Sequence, residues 1–164
     1  MAIVAGHWLD EVVADLAATR LSHLMQDVDW LVPAVQTAHI LCVAAVFTAT
    51  LMPALAALGL YGREQSLAAA YARFLPTVRF GLPVLLLTGA LMVVAEPDRA
   101  LPNTVFQVKM LLVLAAGGLT LAGARRAQRA APADGLQRVL GLGALLLWTL
   151  VVVAGRFIAY SLSR

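Results

Sequence analysis

Charge is scarce in this sequence. Asp, Glu, Lys and Arg make up 13% of its 164 residues, against about 25% in an ordinary soluble domain. A surface so poor in charge is not suited to water, and a soluble globular class is excluded. Cysteine is nearly absent: Cys42 stands alone, so no internal disulfide can form and the redox compartment stays open. A basic start is also lacking. MAIVAGHWLDEVVADL carries Asp10, Glu11 and Asp15 where a secretory signal has its positive and apolar regions, so a cleaved signal is not expected. HExxH, CxxC, nucleophile-elbow and phosphate-loop signatures are missing, and Gly117-Gly118 has no strand before it. The chain therefore reads more as a non-enzyme than as an enzyme. No strong repeat and no low-complexity linker divides it.

What the sequence has in excess is apolar surface. Hydrophobic residues make up 62%, and the mean hydropathy is +0.86. Four stretches run long enough without charge to cross a bilayer core, which needs about 20 residues of helix. They are placed at about 31–60, 77–96, 104–124 and 139–160. Pro33 falls in the first turn of the first span, where proline is tolerated. Pro53 lies within that span and is expected to kink its inner end. Glycine recurs along the spans, as expected where close backbone approach supplies the packing between helices in lipid. The expected fold is all-α: an integral membrane four-helix bundle over residues 30–164, preceded by an amphipathic interfacial helix over 1–29. In that first segment Trp8, Leu9, Val12, Val13 and Leu16 recur at helical spacing, with Asp10, Glu11 and Asp15 on the other side.

The net charge of +3 and a pI of about 9.6 do not indicate nucleic acid here, because the arginines cluster between apolar segments. Arg63, Arg73, Arg79, Arg125, Arg126, Arg129 and Arg138 make seven basic residues on one side, against five on the other (Arg20, Arg99, Lys109, Arg156 and Arg164). By the positive-inside rule both termini are expected on the outer face of a multi-pass protein.

With that topology, polar residues gather in the outer half of the spans. His39 lies roughly 13 Å below Trp30, at 1.5 Å per residue. Gln36 and Cys42, three residues to either side, share its face. Lys109 opens the third span and Arg156 lies in the last turns of the fourth. Ionisable residues at such depth are costly and tend to face a bundle interior or a watery cavity. His39, Gln36, Lys109 and Arg156 are therefore the candidate cofactor-binding residues. His39 and Cys42 are the candidate metal ligands. Imidazole binds haem iron or copper and carries protons near neutral pH. The only other histidines, His7 and His23, precede the first span, so a second axial histidine is not at hand, and the readings left are a haem on His39 alone or one with Met25 or Met92 as partner. The competing view is that Lys109 and Arg156 mark helix ends, while His39 and Gln36 only bond neighbouring helices.

The order of features resembles a known group. WLVPAVQTAHIL is followed by LLLTGALMVVAEP, then by an N-x-x-F-x-x-K pattern (Asn103, Phe106, Lys109), then by LLWTLVVVAGRFIAY. Taken together these are similar to small four-span bacterial membrane proteins of the copper-resistance-D-like families. In particular they resemble a family of about this length known as a domain of unknown function. The resemblance implies a bacterial cytoplasmic (inner) membrane location, and a copper or b-type haem cofactor. The positions that match are His39, Lys109 and Arg156. The chain departs from the pattern at the inner end of span three, where LTLAGARR has no histidine. Three roles compete: a haem- or copper-binding redox module; a cofactor-free accessory or anchor subunit that docks other membrane subunits through the N-terminal helix; and a small transporter subunit, which the absence of inverted repeats disfavours. The lipid bilayer is the partner common to all three.

Overall fold

The computed structural model describes residues 2–62, 64–129 and 134–161, leaving aside the side chains of 2–6 and 158–161. Among the described residues seven helices follow one another: α1 (Ala2–Ala17), α2 (Arg20–Asp27), α3 (Leu31–Ala57), α4 (Leu67–Ala95), α5 (Pro97–Ala100), α6 (Thr104–Gln128) and α7 (Gly135–Ser161). No strand occurs among the described residues, and the all-α expectation holds. The helices α3, α4, α6 and α7 are each long and apolar enough to cross a membrane.

These four helices alternate in direction and form a ring. α3 lies closely along α4, α6 closely along α7, and the two pairs meet through α3 with α7 and α4 with α6. The centre is built from Val46, Ala116, Trp148 and Val151, flanked by Cys42, Phe47, Leu82 and Leu85. A second cluster of Tyr71, Ala124 and Ala127 closes the end where α4 begins and α6 stops.

The distribution of size is inverted relative to a soluble protein. The buried positions are rich in alanine (Ala49, Ala54, Ala57, Ala70, Ala116, Ala124), whereas Leu41, Phe80, Leu87, Leu111 and Leu114 stand exposed on the outside. Without a hydrophobic drive between helices in lipid, small residues inside permit close backbone approach and large ones outside meet acyl chains. This surface is compatible with direct contact to a bilayer. Gly81 marks the tightest point, since a Cβ there would overlap Cγ2 of the fully buried Val46.

The helix ends follow local chemistry. Ser66 Oγ accepts the Ala69 N–H at 3.2 Å and starts α4 at Leu67, well before residue 77, where the second span was expected to begin. α4 therefore carries Arg73 and Arg79 within a continuous helix, together with Pro76 and Pro83. Asn103 Oδ1 accepts from Val105 N–H at 2.9 Å and starts α6. α3 ends soon after Pro53, at Ala57, where Gly59 turns the chain at φ +72°, a left-handed conformation that glycine adopts without a Cβ penalty.

The N-terminal segment is two helices rather than one. Thr19 Oγ1 accepts from Ser22 N–H at 3.2 Å and donates to Leu16 O at 2.7 Å, ending α1 and capping α2. Both helices pack on the end of the bundle where α3 starts and α4 stops. Val13 is buried and Leu9 and Leu16 are half-buried, while Trp8 and Val12 are exposed on an adjoining face with Asp10, Glu11 and Asp15. α2 is fastened by Gln26, whose Nε2 donates to Ala95 O at 2.9 Å and to Ser22 Oγ at 3.1 Å.

Candidate functional site

His39 lies on α3 and faces α4. It is half-buried, and its Nδ1 lies 2.7 Å from Thr88 Oγ1. Thr88 lies within the C-terminal third of α4, and its hydroxyl donates back to Val84 O at 2.7 Å. A hydroxyl has one hydrogen. With that hydrogen committed to Val84, Nδ1 is the N–H donor to Thr88, as assigned from the hydrogen-bond network. Nε2 then keeps its lone pair. Gly89, one residue after Thr88, adds no side chain beside the ring: a Cβ there would lie 3.6 Å from Cε1.

Lys109 approaches from α6. It is half-buried, and its charge acts on the His39 imidazole. Its stem lies along α7 at Gly155, where a Cβ would stand 3.5 Å from Nζ and 3.8 Å from Cε. Among the described residues Lys109 makes no hydrogen bond and no ion pair. Arg156 follows Gly155 and is exposed. The structure thus brings His39 and Lys109 into electrostatic reach, with Arg156 next in chain to the residue that Lys109 lies against.

The remaining sequence candidates sit apart from this arrangement. Gln36 is exposed. Cys42 is half-buried and its Sγ donates to Gly81 O at 3.3 Å, so the thiol is turned to the α4 backbone. Glu96 pairs loosely with Arg99 at 3.5 Å on the surface. No three His, Cys, Asp or Glu side chains gather as a metal-binding group among the described residues. Any metal at His39 would draw its other ligands from a macrocycle, a thioether or water. That fits the single axial imidazole of a haem better than it fits a His39–Cys42 copper pair, which would have to break the thiol's bond to Gly81.

The opposite end of the bundle holds a polar cluster that sequence reasoning missed. Gln137, on α7, is fully buried; its Nε2 donates to Gly123 O at 3.1 Å and to Tyr71 Oη at 3.4 Å. Asp134 Oδ1 accepts the Gln137 N–H at 2.9 Å, and Asp134 Oδ2 pairs with Arg126. Arg126 Nε is buried without a hydrogen-bond partner among the described residues. These bonds tie α4, α6 and α7 together and cap α7. The available signal was the D-x-x-Q spacing of Asp134 and Gln137, a helix-start pattern. Deeper in the bundle, Trp148 Nε1 donates to Thr120 Oγ1 at 3.2 Å, which satisfies the one polar atom of a buried indole.

No protein-family profile, no curated protein and no solved structure matches this chain. The architecture defines a class: a multi-pass α-helical membrane protein with four spans and a two-helix cap.

Proposed function

We propose that this protein is a small redox module of the bacterial inner membrane, holding haem b through His39, with copper as the less favoured cofactor. The observation that carries the reading is the Nδ1–Thr88 bond. A metal-ligating histidine characteristically donates its second ring nitrogen to a fixed acceptor, which sets the tautomer and the ring plane. His39 has such an acceptor, and Nε2 is left as the coordinating atom. A bare copper ion at Nε2 would lack a gathered set of protein ligands among the described residues, and the Cys42 thiol is bonded to Gly81 O. When bound, a haem supplies reversible one-electron transfer at its iron. The chain's own part is to orient the imidazole through Thr88 and to hold the site within an apolar bundle. The likeness to the copper-resistance-D-like families supports the same class. The positive-inside count supports termini on the outer face, and with that topology His39 would lie in the outer half.

An absorption spectrum of the protein purified in mild detergent, air-oxidised and dithionite-reduced, with metal analysis of the same sample, tests this. A Soret band that shifts on reduction is expected. His39→Ala is expected to lose the cofactor while keeping its helical circular dichroism, and Thr88→Val to lower occupancy by loosening the ring. A colourless, metal-free wild type, or a His39→Ala variant with undiminished cofactor, overturns the proposal.

The alternative is a cofactor-free accessory subunit that docks a membrane partner through α1 and α2. It is favoured by the exposure of Trp8, Leu24 and Trp30 at that end of the molecule.

A further inference from the structure

Arg79 stands at the middle of the bundle and on its outside. The core fixes the level. Val46, Ala116 and Trp148 pack together as the central cluster, and Ala116 and Trp148 are the midpoint residues of α6 and α7. Gly81 is the midpoint of α4, and it packs on Val46, just past the midpoint of α3. One plane therefore cuts all four helices near their centres. Arg79 precedes Gly81 by two residues, about 3 Å along the axis. Its side chain is nevertheless exposed. Pro76, Pro83 and Leu86, also exposed and at helical spacing, share one outward stripe of α4 with it. Thr88, which meets His39, lies about two and a half turns further on, on the opposite face of α4.

Ionisable residues within spans ordinarily face the bundle interior or a watery cavity, where partners satisfy them. Arg79 does not. Among the described residues its guanidinium has no hydrogen bond, ion pair or ring contact, whereas Arg73 at least lies over the Phe74 ring at 5.9 Å. A headgroup phosphate is half a hydrocarbon core away, about 15 Å, which is further than an arginine side chain extends. None of the nine carboxylates in the sequence lies in α3, α4, α6 or α7, so a second copy brings no counter-charge to this plane.

We propose that the α4 face of Pro76, Arg79, Pro83 and Leu86 docks a spanning helix of a different membrane protein, one that carries an Asp or Glu at mid-depth, and that Arg79 pairs with that carboxylate. Apolar faces in lipid gain little by meeting one another. A guanidinium at this depth gains its counter-ion only by association, and its forked N–H groups fit a carboxylate. The charge therefore supplies both the drive and the selectivity of the contact. The site lies away from His39 and from α1 and α2, and does not depend on the haem reading.

The test is photo-cross-linking of the full-length protein in its native membranes, with a benzophenone amino acid in place of Leu86 and the cross-linked peptide sequenced. The expected product joins this protein to another whose apolar span contains Asp or Glu. Arg79→Leu is expected to lower the yield about tenfold, the scale of one polar bond between membrane helices. Arg79→Lys is expected to keep most of it, and His39→Ala to leave it unchanged. Arg79→Leu adds apolar surface toward lipid, and helical circular dichroism checks that it folds. A synthetic leucine–alanine helix with one central Glu gives a second reading: in phosphatidylcholine vesicles it is expected to associate with wild type more tightly than its Gln counterpart, and equally with Arg79→Leu. Cross-links to lipid alone, to a second copy of this protein, or to a span without a carboxylate would each overturn the proposal. Undiminished yield in Arg79→Leu, or equal binding of the Glu and Gln helices to wild type, would do the same.

Discussion

Gly81 shows how narrow the gap between α3 and α4 is. The side chain it lacks would overlap Val46, which is β-branched, stiff about χ1 and completely buried. Gly81→Ala should therefore cost about 1–3 kcal/mol, the usual penalty for overpacking. Thermal unfolding in detergent measures it, and Val46→Ala in the same chain should recover most of the loss. The same closeness lets Cys42 reach Gly81 O and His39 reach Thr88 across the seam. His39, Lys109 and Arg156 were legible as candidates because they interrupt apolar runs. Which of them meet was not legible, because rotation of each helix about its axis depends on contacts that spacing does not encode. Cys42, on the same face as His39 by spacing, also faces α4, with its thiol bonded to Gly81 O. Thr88 was missed because a threonine in an apolar helix gives no signal of its own: its hydroxyl is satisfied locally in every such helix.

Helix limits depended on caps more than on hydropathy. The charge-free run from residue 80 to 95 is shorter than α4, because Ser66 caps the helix before Arg73 and Arg79 are reached. Thr19 splits the N-terminal segment for a like reason. Asp134 offers the clearest test at this scale. The Gln137 N–H and the Arg126 guanidinium hold its carboxyl below the ordinary carboxylate value. A lowered value in the folded state means that the stabilisation is fully present above the unfolded value, about 3.9, and is lost as pH falls through the folded one. Wild type is thus expected to lose stability on acidification below about pH 4, with Asp134→Asn showing a smaller loss over that window. Thermal midpoints from pH 6 to 3 measure this, and equal slopes in the two proteins would refute it.

For the whole molecule the open quantity is orientation. The sequence count gives seven basic residues to the side of the α3–α4 and α6–α7 connections and five to the other, Arg79 lying near the middle of α4. On the positive-inside rule that side is expected to face the cytoplasm. Arg129→Cys, made with Cys42→Ser, is expected to resist a membrane-impermeant thiol reagent in whole cells and to react once the cells are opened. Ready labelling in intact cells would invert the protein and turn His39 toward the cytoplasm.

The sequence by itself determined the solvent and the class. With 62% apolar residues and four long uncharged stretches, only helices can satisfy their own backbone hydrogen bonds in lipid, and a helical bundle follows. Tertiary structure decided the neighbours: α3 against α4, α6 against α7, His39 against Thr88, Lys109 against Gly155. The physical reason is that every apolar face is equally at home in acyl chains. In lipid, helix rotation is chosen by close fit and a few polar bonds, and those appear only once the helices are side by side.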